Sequence, residues 1–151
     1  MSQPSFMNKP LKVRAAVVLL HEGHVLLMRQ NNRDFWVYPG GTLEEGETVA
    51  NCAVRELLEE VNLAVTLQGL LAVTDFADSK RQVVDVTYLA TCTQAPPQTF
   101  IPPFVENINE VCWVPVAELS QWVVQPAHLH AHVCQHLQQD ATLQRATAPL
   151  C

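Results

Sequence analysis

Three glutamates in one short stretch, Glu56, Glu59 and Glu60, stand at i, i+3 and i+4, the spacing at which side chains on a helix lie close together. Like charges so placed repel by roughly 0.2 to 0.5 kcal/mol per pair, so three on one face lower the stability of the helix that carries them. A hard divalent cation removes the conflict. Carboxylate oxygens suit Mg²⁺ or Mn²⁺, which usually keep several waters and complete their shell with phosphate oxygens. The residues therefore point to a phosphate-bearing ligand brought to a metal-binding helix.

The neighbouring sequence supplies that helix. Pro39-Gly40-Gly41 is a turn signal, because two glycines permit backbone angles that other residues avoid. Thr48 follows at an N-cap position, ahead of Ala50, Val54, Leu57 and Val61 at spacings of four, three and four. The spacing predicts a helix over Val49 to Val61 with its apolar stripe toward the core and the glutamates on the opposite, polar side. A solvated acidic helix face is the plain alternative for three glutamates alone. Six identities at fixed positions (Gly41, Glu47, Arg55, Glu56, Glu59 and Glu60) decide against it, since at roughly 7% each they coincide on the order of once in ten million placements.

This run, GTLEEGETVANCAVRELLEEVNL from Gly41 to Leu63, resembles the Nudix box. It departs from the family pattern at Asn62, where the family usually has Gly. The position follows a helix end, and Asn is the most tolerant residue after Gly of the left-handed conformation wanted there. The resemblance implies an α/β/α sandwich around a mixed sheet. It also implies hydrolysis of a nucleoside diphosphate linked to another group, by attack of water on phosphorus. On the same ground Glu56, Glu59 and Glu60 are the metal-binding or base-forming set. Glu56 and Glu60 are the leading ligands, and Glu59 serves as ligand or base. Glu47 and Arg55 are expected to pair and brace the loop against the helix, an Arg fork being suited to hold a carboxylate in one orientation.

Composition agrees. A chain of 151 residues with 48% hydrophobic content fits one domain with a sizeable core, its ends (1–10 and 140–151) loosely ordered. The net charge of −6 argues against a nucleic-acid backbone as partner. Six of the fifteen acidic residues lie between Glu44 and Glu60, which favours metal capture over membrane binding. Ala15 to Leu20 is too short to span a membrane, and the start of the chain lacks a signal-peptide pattern. Cys52, Cys92, Cys112, Cys134 and Cys151 form no CxxC pair and read as reduced thiols of a cytoplasmic protein. The expected partner is a small nucleoside diphosphate derivative, with a homodimer left open.

Along the chain, Val13 to Leu20 and His24 to Met28 read as a hairpin about His21-Glu22-Gly23. Strands follow at Ala64 to Val73, Gln82 to Thr91 and Glu110 to Val114, with a turn at Asp78-Ser79-Lys80 and a proline-rich loop at Gln94 to Pro103. Val116 to Trp122 and Ala127 to Gln139 read as helices. Pattern alone supports α/β or α+β.

Outside the box, Glu106 and Glu110 precede a Trp-containing strand, where the resemblance implies a further ligand or base; solvated loop carboxylates are the simpler reading of either alone. Arg29 ends the second strand, where relatives place a cation that touches phosphate. Phe35, Trp36, Tyr38 and Phe76 could stack on a base, although packing accounts for most aromatics. Phe35, Trp36 and Phe76 join Arg29 as the substrate-binding set, and Trp113 is assigned to the core. His128, His132 and His136 fall on one helix stripe with His130 between them, and a polar face explains them better than a metal site.

Neither the proline nor the tyrosine that marks some Nudix groups is found around Asp78 to Arg81, which weakens ADP-ribose and dinucleoside polyphosphate as substrates and favours a nucleoside triphosphate or sugar nucleotide. Two rivals to a hydrolase stand behind it. A nucleotide-binding sensor is expected to need a fused effector segment, for which 151 residues leave no room. An isoprenoid diphosphate isomerase needs a cysteine and glutamate pair, with Cys52 as its candidate cysteine.

Overall fold

The computed structural model describes residues 10–92, 107–144 and 146–151. The proline-rich loop at Gln94 to Pro103 and the candidate Glu106 lie outside the described residues.

The apolar run early in the chain becomes the centre of a mixed sheet. Strand β1 (Leu11–His21) pairs in parallel with β5 (Gln82–Cys92), from Leu11 opposite Gln82 to Leu20 opposite Thr91. Its other edge is shared end to end. Strand β3 (Gly40–Thr42) pairs with Arg14 to Ala16, and β2 (His24–Gln30) pairs with Leu20 and His21 across a tight turn with Glu22 and Gly23 at positive φ. Strands β4 (Val65–Ala77) and β6 (Ile108–Pro115) complete the sheet in the order β4-β5-β1-β2-β6, both antiparallel to their neighbours. A strand covered on both faces reads as a continuous hydrophobic run, which is why Val13 to Leu20 shows no alternation.

The two faces of β1 feed two cores. Ala15, Val17 and Leu19 pack with Cys52, Ala53, Leu57 and Val61 of helix α1 (Val49–Val61), whereas Val18 joins Leu129, Val133 and Leu137 of helix α2 (Ala127–Gln138). The result is the expected sandwich, a helix on each side of a mixed sheet. A 3₁₀ turn over Val116–Gln121 replaces the expected short helix and buries Val116 and Leu119.

Helix α1 has the predicted limits. The Thr48 hydroxyl accepts the Asn51 amide at 3.1 Å, and Asn62 caps the other end in the left-handed region at φ 55°. Asn in place of Gly thus preserves the chain reversal.

Two expectations are corrected. Gly40 and Gly41 were assigned to a turn but form β3. A Cβ on Gly40 would strike the carbonyl oxygen of Ala15, so glycine here permits close strand approach rather than reversal. The cysteines were all expected to be reduced, yet Cys112 and Cys151 form a disulfide. The end of the chain also returns to β6, with Trp113 and Leu150 exchanging backbone hydrogen bonds of 2.7 and 2.8 Å. An open strand edge is a ready partner for a returning segment, a tertiary opportunity that local composition does not display.

Candidate functional site

Helix α1 projects its acidic residues toward β3 and the loop behind it. Arg55 is the hub. Its Nε and Nη2 donate to the two oxygens of Glu47 at 2.6 and 3.0 Å in a bidentate fork. Nη1 donates to Glu56 at 3.0 Å and Glu59 at 3.1 Å, and Nη2 also reaches the Thr42 carbonyl at 3.3 Å. The guanidinium holds the Glu47 carboxyl far down, at about 2, and the surrounding carboxylates push the Arg55 guanidinium up. Glu47 also accepts the Glu44 amide at 3.1 Å, so the brace fastens the loop to the helix.

The glutamates do not share one environment. Glu59 is half exposed, and Glu56 is folded down beside Gly41, where any Cβ would collide with its carboxyl group. Glu60 was expected on the polar face and is instead 5% exposed. Its Oε1 accepts the Gly40 amide at 3.1 Å, while Oε2 is buried without a hydrogen-bond donor. Burial first, and then the neighbouring Glu56, push the Glu60 carboxyl up to about 8, with the Gly40 amide and Arg14 opposing. Helical periodicity places Glu60 on the polar side, but β3 crosses over that side and covers it. Among the described residues, no three His, Cys, Asp or Glu side chains converge as a ready-made metal centre.

Arg29 and Glu110 stand opposite one another on β2 and β6, and Arg29 Nη2 donates to Glu110 Oε1 at 2.8 Å. The two candidates, chosen separately for phosphate and for base or ligand, form an ion pair with each other. Arg29 Nε is buried without an acceptor.

A cleft of about 510 Å³ opens on the α2 side of the sheet, with Phe35 and Phe76 in its walls. A guanidinium covers each ring, Arg33 over Phe35 at 5.4 Å and Arg81 over Phe76 at 5.1 Å. Trp36 is not in the lining. It is partly buried and packs edge-on against Trp122 at 5.0 Å, beside the α2 core.

The cleft also contains residues that the sequence reading passed over. Arg14 and Asp85 lie opposite each other on β1 and β5, 3.8 Å apart, and burial pushes the Asp85 carboxyl up against the opposing pull of Arg14 and His128. A signal existed: Asp85 is the one charge in β5, and Arg14 borders the apolar run of β1, where charges are rare unless paired. Arg14 links the two regions, since it lines the cleft and its charge acts on Glu60.

Tyr38 is buried and hydrogen bonded through its hydroxyl to His130 Nδ1 at 2.8 Å, which makes it core. Trp113 is core as expected, 2% exposed. His128, His132 and His136 lie on the exposed side of α2. Cys52 is wholly buried and donates to the Gly41 carbonyl at 3.7 Å, and burial pushes its thiol up to about 11. Wholly buried, it presents no thiol to a substrate and does not suit the isomerase role.

A family model described as a NUDIX domain matches residues 10–133. The nucleoside diphosphate-linked moiety X motif 6 protein of Xenopus laevis is 32% identical over 72 residues, 46% of this chain and 33% of that protein. The 8-oxo-dGTP diphosphatase of Proteus vulgaris is 34% identical over 77 residues, 47% of this chain and 69% of that protein. The chain thus spans about a third of the first relative. A NUDIX hydrolase structure from Nitrosomonas europaea superposes with a TM-score of 0.72 at 24% identity, covering 93% of this chain and 77% of that one.

Proposed function

The chain belongs to the NUDIX family, and on that premise we propose that it is a divalent-metal-dependent pyrophosphohydrolase that cleaves a phosphoanhydride in a nucleoside diphosphate derivative. A nucleoside triphosphate or sugar nucleotide is the favoured substrate. The names of the Xenopus and Proteus relatives, a nucleoside diphosphate-linked moiety and 8-oxo-dGTP, support that class.

One observation carries the reading. Glu60 Oε2 is buried with no donor while the Glu56 carboxylate lies close enough to disfavour its ionisation. Two carboxylates in that relation are costly without a cation and fitted to one. Glu60 and Glu56 would hold Mg²⁺ or Mn²⁺, with Glu59 within the same turn of helix to join them. The bound cation would neutralise phosphate oxygens and lower the pKa of water.

The chain's own groups supply the rest. Arg55 holds Glu56 and Glu59 in place through charge-assisted hydrogen bonds and is itself fixed by Glu47. Glu59 is the solvent-reachable carboxylate of the three and can accept a proton from the attacking water; Glu110 is the alternative base, and using it means opening its pair with Arg29. Arg29, once released, presents a guanidinium to phosphate. Water oxygen bonds to phosphorus, the bridging P–O bond breaks, and the leaving phosphate takes the bond electrons.

The test is incubation of the purified protein with Mg²⁺ or Mn²⁺ and a panel of nucleoside triphosphates, ADP-ribose, NADH, sugar nucleotides and dinucleoside polyphosphates, with products resolved by chromatography. Turnover of one class that disappears in Glu60→Gln supports the hydrolase. No turnover across the panel, with nucleotide binding intact, overturns it in favour of a nucleotide-binding sensor.

A further inference from the structure

Beside its two phenylalanines the cleft holds a less usual group. Phe35 and Phe76 line it with a guanidinium over one face of each ring, and an aromatic face accepts any base and so confers little choice. Asp85 is different. It is 9% exposed, it stands on a central strand, and its neighbour Arg14 lies at 3.8 Å, beyond direct hydrogen-bond distance. A carboxylate in a cleft accepts two parallel donors and donates none, whereas the adjacent guanidinium donates only.

The complementary ligand edge has two neighbouring N–H donors followed by an acceptor. A 2-amino-4-oxopyrimidine ring, as in guanine, carries that order: an amino group, a ring N–H and a carbonyl. Adenine presents an amino donor beside a bare ring nitrogen, which would face the carboxylate lone pair to lone pair. Hypoxanthine keeps the ring N–H and carbonyl but lacks the amino group. We propose that Asp85 and Arg14 form a base-reading pair that selects a guanine-type edge, with Phe35 and Phe76 as the stacking walls. The cleft volume of about 510 Å³ lies in the range of small-molecule sites.

The inference deepens the nucleotide-hydrolase reading, resting on it only for the ligand being a nucleotide. The test separates the two because it uses monophosphates, which contain no anhydride, and is run in EDTA. Isothermal titration calorimetry of the full chain with GMP, IMP and AMP should show GMP bound at least about tenfold more tightly than AMP, with IMP between them, the scale of one bidentate base contact. Asp85→Asn replaces one acceptor with a donor, so it should abolish the preference for GMP and improve AMP. Phe35→Ala should weaken all three alike. Equal binding of GMP and AMP by the wild-type protein, or absence of binding up to millimolar nucleotide, overturns the proposal whether or not any variant folds. Hydrolysis of a substrate without the guanine-type edge in the Mg²⁺ assay would sustain the hydrolase and sink the base-reading pair. GMP preference without hydrolysis of any compound would do the reverse.

Discussion

Glu60 and Gly40 are twenty residues apart in sequence, yet Glu60 Oε1 accepts the Gly40 amide at 3.1 Å, so the last turn of α1 is fastened to β3 by a group also assigned to cation binding. One carboxylate oxygen is used by the fold, and the other is buried with nothing to accept from. The helix therefore carries an acid whose ionised form is unfavourable, a cost that a bound cation would relieve.

The metal-free protein should lose stability as pH rises through neutrality. The Glu60 carboxyl is raised from an ordinary 4.5 to about 8 in the folded state, so the folded chain binds more protons than the unfolded one between those values. Its contribution is therefore neutral below about pH 4.5, becomes increasingly unfavourable toward pH 8 and is fully so above it. Thermal unfolding in EDTA should show this slope, Glu60→Gln should flatten it, and Mg²⁺ or Mn²⁺ should raise Tm most at the alkaline end. An identical slope in Glu60→Gln would remove the assignment.

Loss of Glu60 should also remove chemistry while sparing the fold. Glu60→Gln keeps an acceptor for the Gly40 amide, so turnover with Mg²⁺ should fall at least about a hundredfold, the scale on which removal of one catalytic group acts. The circular dichroism spectrum should stay unchanged.

Gly41→Ala should act through Glu56. The added methyl occupies the place of the Glu56 carboxyl, which must swing away. Mn²⁺ affinity, read by electron paramagnetic resonance, should fall roughly ten- to hundredfold, the usual effect of disturbing a ligand's support. Arg55→Lys should give a loss of the same order, because an ammonium cannot grip Glu47 with two parallel bonds and still reach Glu56 and Glu59.

The two aromatic assignments separate by experiment. Trp36→Ala should lower Tm, since its partly buried ring packs on Trp122, by less than the about 3 to 5 kcal/mol of a fully buried aromatic. Phe76→Ala should leave Tm nearly unchanged, its ring being 44% exposed, and weaken nucleotide binding instead. Denaturant unfolding and calorimetry on the same pair of variants check both halves.

Leu57→Ala gauges the seam between α1 and the sheet. Leu57 is fully buried against the β1 and β2 side chains, so its truncation should cost about 2 to 5 kcal/mol in denaturant unfolding. A change below about 1 kcal/mol would mean that the helix packs differently.

The sequence by itself determined the features that depend on near neighbours. The limits of α1, its Thr48 cap and the left-handed Asn62 follow from spacing and backbone preference within a few residues. The Arg55 fork on Glu47 lay within reach of the same local motif, eight positions apart. Tertiary structure alone decided which of three similar glutamates is buried, because helical periodicity assigns a face but cannot say that β3 will cross it. It also paired Arg29 with Glu110 across 81 positions, set Trp36 edge-on against Trp122, and brought Cys151 back to Cys112. Arg14 and Asp85 show the reason most clearly. They stand 71 positions apart on different strands, and only the parallel register of β1 on β5 makes them neighbours in a cleft.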